Sequence, residues 1–146
     1  MSEWHCYTDG ACKPGDIGGW GFHLRPPKGI PLEGKGHAYG TQAKIMEYRA
    51  VAEALSALPA GAAGVVFSDN MSLVENLTRR LDVWRANGFA KVDPLVVDSV
   101  RRIDEVIQAK NLRLRFQWLR GHNGNAGNER ADALAAEAAR EAKAAR

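Results

Sequence analysis

The chain has 146 residues, 45% of them hydrophobic and 25% charged, and 20 Lys+Arg against 17 Asp+Glu give a net charge of +3. That length suits one domain spanning residues 1–146, the apolar content excludes a disordered chain, and no run approaches the ~18 apolar residues of a membrane span. The mild basicity permits a polyanionic partner without demanding one.

The opening MSEWHCYTDG has neither a basic n-region nor an apolar h-region, so no secretory signal is expected and a cytoplasmic location is the default. Residues 3–9 alternate as a strand, with Trp4, Cys6 and Thr8 on one face and His5, Tyr7 and Asp9 on the other. Asp9-Gly10 is expected to end it, and residues 10–19 read as a Gly-rich loop. Cys6 and Cys12 fit no disulfide, zinc or thioredoxin pattern and are expected to be reduced, Cys6 in a strand core. Residues 20–26 form a second strand and 30–39 a third, interrupted at Gly34–Gly36, which suggests an antiparallel meander.

The period then changes. Residues 44–58 place Tyr48, Val51, Ala52, Leu55 and Leu58 at helical spacing, and Pro59-Ala60-Gly61 stops the helix. Residues 64–69 are a short buried strand ending in an acid. Ser72 and Glu75 read as a capping box for a helix striped by Val74, Leu77, Leu81 and Trp84. Asp93-Pro94 predicts an N-cap and first helical residue for the next helix, faced by Val96, Val100, Ile103 and Ile107. Residues 112–119 alternate as a strand, 120–128 form a polar loop, and 129–143 form a closing helix with Ala131, Leu134, Ala135, Ala138 and Ala142 inward. The order βββ-α-β-αα-β-α predicts an α/β fold: a five-stranded mixed sheet, three antiparallel strands and then two parallel, with helices on both faces.

Four acids take special places on these elements. Asp9 and Asp69 end two strands, and sites in open α/β sheets form beyond the carboxyl ends of parallel strands. Glu47 falls at the edge of the first helix's apolar stripe and leans toward the sheet rim. Asp132 falls in the first turn of the last helix, where the dipole alone would favour it. Each has a plainer reading: Asp9-Gly10 as a turn, Glu47 as a solvated helix residue, Asp69 as a helix cap, Asp132 as dipole decoration. Their joint placement favours a shared centre. Crowded carboxylates repel unless a proton or cation intervenes, and an all-oxygen set suits Mg²⁺ or Mn²⁺ over zinc. Two such ions can activate water and stabilise the leaving oxygen of a phosphodiester. His122, in the loop beyond, is either an exposed loop histidine or a mobile proton carrier. His5, His23 and His37 have no acids nearby in sequence and are read as structural.

Tyr7-Thr8-Asp9-Gly10-Ala11-Cys12, Met46-Glu47, Ser68-Asp69 and residues 121–132 (GHNGNAGNERAD) together resemble type 1 ribonuclease H over essentially the whole chain. The resemblance implies a ribonuclease H-like fold and endonucleolytic hydrolysis of the RNA strand of RNA/DNA hybrids, leaving 5′-phosphate and 3′-hydroxyl ends. It implies two Mg²⁺ ions, replaceable by Mn²⁺, held by Asp9, Glu47, Asp69 and Asp132, with His122 assisting proton transfer or product release. It also places Gly10, Ala11, Cys12, Gln42 and Asn70 at the hybrid. No membrane and no obligate protein partner are implied, and a monomer is expected.

The chain departs from the family pattern in its grip on substrate. Gln42-Ala43-Lys44-Ile45 stands where asparagines commonly precede the glutamate, so a phosphate or 2′-hydroxyl contact is lost or taken over by Gln42 or Lys44. The loop at Lys13–Gly19 looks shortened, and Asn70-Met71 replaces Ser-Gln. Residues 79–92 resemble a reduced basic protrusion, with Arg79, Arg85 and Lys91 expected at the hybrid and Trp84 in the core. An exonuclease or resolvase of the same architecture is a competing reading, but the exonuclease Asp-x-Glu opening is missing. A non-catalytic hybrid-binding module is another, and it sits poorly with four retained acids.

Overall fold

The computed structural model describes residues 2–121 and 123–146. Among them, strands β1 (Glu3–Lys13), β2 (Ile17–Arg25), β3 (Leu32–Tyr39), β4 (Ala63–Ser68) and β5 (Arg113–Trp118) form one sheet in the order β3-β2-β1-β4-β5. β1 pairs antiparallel with β2 and parallel with β4; β2–β3 is antiparallel and β4–β5 parallel. The helices are α1 (Ala43–Ala57), α2 (Met71–Arg79), α3 (Leu81–Ala86), α4 (Val97–Lys110) and α5 (Ala126–Ala145). None of the described helices is long and apolar enough to cross a membrane. The five-stranded mixed sheet read from the sequence is the one observed.

α1 packs on β1 and β2 from one face, and α5 packs on β1, β2 and β3 from the other. Cover on both faces erases simple alternation in the middle of β1, where Cys6, Tyr7, Thr8 and Asp9 are buried in succession. The main core, on the α1 side, joins Cys6, Phe22 and Leu24 to Tyr48, Val51 and Leu55 of α1 and to Val100 and Ile103 of α4. Trp84 and Leu77 close it from α3 and α2, as expected for Trp84. Both cysteines are free thiols, and burial pushes the Cys6 thiol up to about 12, so it packs as an inert apolar group.

Several boundaries correct the sequence reading. Residues 10–19 are not a loop: β1 runs through Asp9 to Lys13, and only Pro14–Asp16 turn before β2. The glycines there serve packing. A Cβ on Gly19 would overlap the backbone of Ala135 and Ala139, and one on Gly21 would crowd Leu134 and Ala135, so α5 lies directly on bare β2 backbone. The third strand runs unbroken through Gly34 and Gly36, which lie against the Phe22 and Trp20 rings. The helix after β4 breaks at Arg80 into α2 and α3, and its cap is Asn70, not Ser72. Asp93 does not cap α4; its Oδ1 accepts from Leu95 N in a turn and its Oδ2 lies 2.6 Å from Lys44 Nζ, while α4 starts at Val97. α5 starts three residues earlier than the expected 129, capped by Asn125 through Asn128 N at 2.9 Å, so Asp132 stands in its second turn, away from the dipole's strongest end.

Candidate active site

The parallel ladder between β1 and β4 ends at Tyr7 opposite Phe67. Asp9 and Asp69 both lie two residues beyond it, on neighbouring chains running the same way. β1 continues past this point in register with β2, Asp9 facing Gly21. Its other edge is thereby open to the start of α1. Gly10 lets that helix come in: a Cβ there would overlap the backbone of Met46 and Glu47. Glu47 thus arrives beside Asp9 because its own backbone rests on the residue that follows Asp9.

One carboxylate oxygen from each of Asp9, Glu47 and Asp69 lies within 4.8 Å of the other two. Asp9 is buried and the other two are half-buried. Asp132 approaches from α5 and shares a hydrogen bond with Asp9, an arrangement that needs a proton between the two carboxyls. Burial, then that bond and the charges of Asp69 and Asp132, push Asp9 up to about 9, against the pull of the Gly10 amide, which donates to Asp9 Oδ1 at 2.9 Å. Burial likewise raises Glu47, opposed by a hydrogen bond from Asn70. The structure brings Asp9, Glu47 and Asp69 together, with Asp132 hydrogen-bonded to Asp9. Their oxygen-only donor set, with a deficit of positive charge, fits a hard divalent cation.

The remaining site expectations fall unevenly. His122 lies outside the described residues. Ala11 and Cys12 are half-buried on β1, and the Cys12 thiol donates to the Thr41 carbonyl at 3.5 Å. Gln42 is exposed at the N-terminus of α1 with no capping bond. Asn70 is engaged within the protein: its Nδ2 donates to Glu47 Oε1 at 2.9 Å and its Oδ1 accepts from Leu73 N at 3.0 Å. Arg79 and Lys91 are exposed. Arg85, however, makes a forked pair with buried Asp104, Nη2 to Oδ1 at 2.7 Å, and ties α3 to α4. Its guanidinium braces the fold.

Two features escaped the sequence reading. His23 does have an acid partner: Glu33, directly across the β2–β3 ladder, lies 2.6 Å from its Nδ1 and also takes a forked pair from Arg130 of α5. Arg130 and His23 hold Glu33 down to about 2, the guanidinium contributing most. Trp118 also bears on the site, its indole N–H donating to the Asp69 carbonyl at 3.1 Å and fixing the end of β4 to β5. The alternation of β5 could have shown Trp118 on the rim; its partner could come only from the β4–β5 register.

Fold and site together define an α/β domain with a carboxylate centre at the C-terminal rim of two adjacent parallel strands. The RNase H family model matches residues 1–140. Ribonuclease H of Verminephrobacter eiseniae (strain EF01-2) is 40% identical over 142 residues, covering 92% of this chain and 89% of the relative. Among solved structures, LC9-RNase H1, described as a type 1 RNase H with the type 2 active-site motif, superposes with a TM-score of 0.79 at 21% identity, covering 97% of this chain and 74% of that one. LC11-RNase H1, solved in complex with an RNA/DNA hybrid, superposes with a TM-score of 0.75 at 23% identity, covering 96% and 99%. The chain belongs to the RNase H family, a family of nucleases.

Proposed function

We propose that this protein hydrolyses the RNA strand of RNA/DNA hybrids internally, leaving 5′-phosphate and 3′-hydroxyl ends. The observation that carries the proposal is the convergence of Asp9, Glu47 and Asp69 within 4.8 Å, with Asp132 bonded to Asp9. Membership of the RNase H family supports the substrate, as does the relative solved with a hybrid.

Asp9, Glu47, Asp69 and Asp132 would hold two Mg²⁺ ions, with Mn²⁺ able to replace them. Bound there, the ions supply the positive charge that makes water nucleophilic and steadies the departing oxygen. The chain's own groups supply the rest. Among the described residues near the carboxylates, the Ser68 hydroxyl accepts from Asn70 N and the Cys12 thiol is turned to a backbone carbonyl, so neither is offered as a nucleophile. Water is therefore the attacker: its oxygen joins phosphorus, the bond from phosphorus to the ribose 3′-oxygen breaks, and that oxygen leaves as a hydroxyl. His122 assists proton transfer or product release, so His122→Ala costs a moderate part of the rate only; complete inactivity would give it a larger role. The chain at Gly10, Ala11, Cys12 and Gln42 meets the hybrid, and exposed Arg79 and Lys91 meet its phosphates. RNA is distinguished through its 2′-hydroxyls and DNA through backbone shape. The protein works in the cytoplasm as a monomeric single domain.

The test is a hybrid labelled on either strand, alongside single-stranded RNA, duplex RNA and duplex DNA. The expected result is internal cutting of the hybrid's RNA strand alone, which Asp69→Asn reduces by orders of magnitude. Stepwise trimming from an end, or an intact RNA strand with Mg²⁺ or Mn²⁺ present, would overturn it.

A further inference from the structure

We propose that Asn70 is a positioning residue for Glu47, coupling the cap of α2 to the metal-holding carboxylate of α1. The proposal rests on the reading of the carboxylate centre given above and assigns Asn70 a role other than hybrid contact.

The geometry leaves the Asn70 side chain little freedom. Its backbone N–H donates to the buried Ser68 hydroxyl at 3.1 Å, which holds the residue against the end of β4. Its Oδ1 accepts from Leu73 N at 3.0 Å, the usual N-cap bond for a helix whose first amides have no partner inside it. An amide N–H can be met only by an acceptor, so the oxygen must face the helix and the NH₂ must face the other way. It faces Glu47 Oε1, at 2.9 Å. The orientation of the donor is thus dictated by the cap.

Glu47 needs such help more than its neighbours do. Asp9 is short, buried in a strand and steadied by the Gly10 amide. Glu47 is a long, half-buried side chain that must reach from a helix to the sheet rim, and an unrestrained glutamate samples many rotamers. A donor locked to α2 selects the rotamer that points at Asp9 and Asp69 before a cation arrives. Groups that orient a metal ligand in this way typically contribute ten- to a hundredfold in metal affinity or activity.

Asn70→Ser separates the two duties. Serine is an equally good cap, so α2 keeps its bond, but its hydroxyl lacks the amide's second arm toward Glu47. Titration of the metal-free protein with Mn²⁺, monitored calorimetrically without substrate, is expected to show about tenfold weaker binding in Asn70→Ser than in the wild type. Thermal unfolding in chelator should differ little between the two. Asn70→Ala should lose both the affinity and the helix cap. In hybrid cleavage, Asn70→Ser should need about tenfold more Mg²⁺ for half its maximal rate, recover at high Mg²⁺, and keep the wild-type KM for hybrid. Unchanged Mn²⁺ affinity in Asn70→Ser would overturn the proposal, as would a raised hybrid KM at unchanged metal affinity, which would return Asn70 to substrate contact. A wild-type protein that binds Mn²⁺ but cuts no hybrid would refute the proposed activity alone, and the Mn²⁺ comparison would still decide the role of Asn70.

Discussion

Asp9 concentrates the chemistry of the site in one residue. Its carboxyl is buried among other carboxyls and held up at about 9, while in the unfolded chain it returns to the ordinary value of 3.8. Between those two values the metal-free folded chain holds a proton that the unfolded chain has released. Its contribution to stability is therefore fully present below about pH 4 and lost as pH rises through about 9. Asp9→Asn should flatten this dependence and leave the metal-free protein more stable than the wild type at pH 8 and above, as read by thermal unfolding in chelator across pH. The same variant should lose cleavage by orders of magnitude. A mutant less stable than the wild type at high pH would contradict the burial and carboxylate crowding that raise Asp9. The joint placement of four acids at expected strand ends and helix-stripe edges was legible in the sequence, although β1 runs past Asp9 and Asp132 stands in the second turn of α5. Spacing did not expose the His23–Glu33 pair, which are ten residues apart in sequence and adjacent only through the β2–β3 register.

Between elements, glycine decides how closely helices approach the sheet. Gly10 brings α1 to Asp9, and Gly19 and Gly21 bring α5 and with it Asp132. Gly10→Ala should force α1 outward, cost roughly 1–3 kcal/mol of stability as overpacking does, and reduce cleavage beyond what that loss explains, because Glu47 moves with the helix. Urea unfolding alongside cleavage rates checks this; wild-type activity in a destabilised Gly10→Ala protein would contradict it. These glycines are also why part of the fold was illegible. Glycine in sequence signals a turn, so residues 10–19 read as loop, whereas close packing of helix on backbone is a tertiary demand with no local signature. The α1, α4 and α5 stripes were legible because an amphipathic period is local. The cap at Asn70 lay between Asp69 and Ser72, both read as caps from the sequence, and which side chain caps depends on where the preceding strand releases the chain.

At the scale of the whole molecule, the small positive charge is unevenly committed. Arg85 is bound to Asp104, Lys44 to Asp93, and Arg102 to Glu53, all within the fold. Lys91 lies exposed, and so does Arg79, which approaches Glu75 one turn back only at 3.9 Å. Neutralising either should weaken hybrid binding across sequences and lower the salt slope of log affinity by about one each. Arg85→Ala should leave that slope alone and lower Tm, because it strands a buried carboxylate. Binding titrations over a range of salt, with thermal unfolding of each variant, separate the two kinds of arginine; a slope lowered by Arg85→Ala would return that residue to the hybrid surface. The proposed activity requires that side-chain oxygens of Asp9, Glu47, Asp69 and Asp132 form a common seat for divalent metal. Anomalous diffraction from crystals soaked in Mn²⁺ tests it directly. Scattering peaks are expected between Asp9, Glu47 and Asp69, within coordination reach of their carboxylate oxygens. Manganese absent from that centre, or bound only elsewhere on the surface, would contradict it.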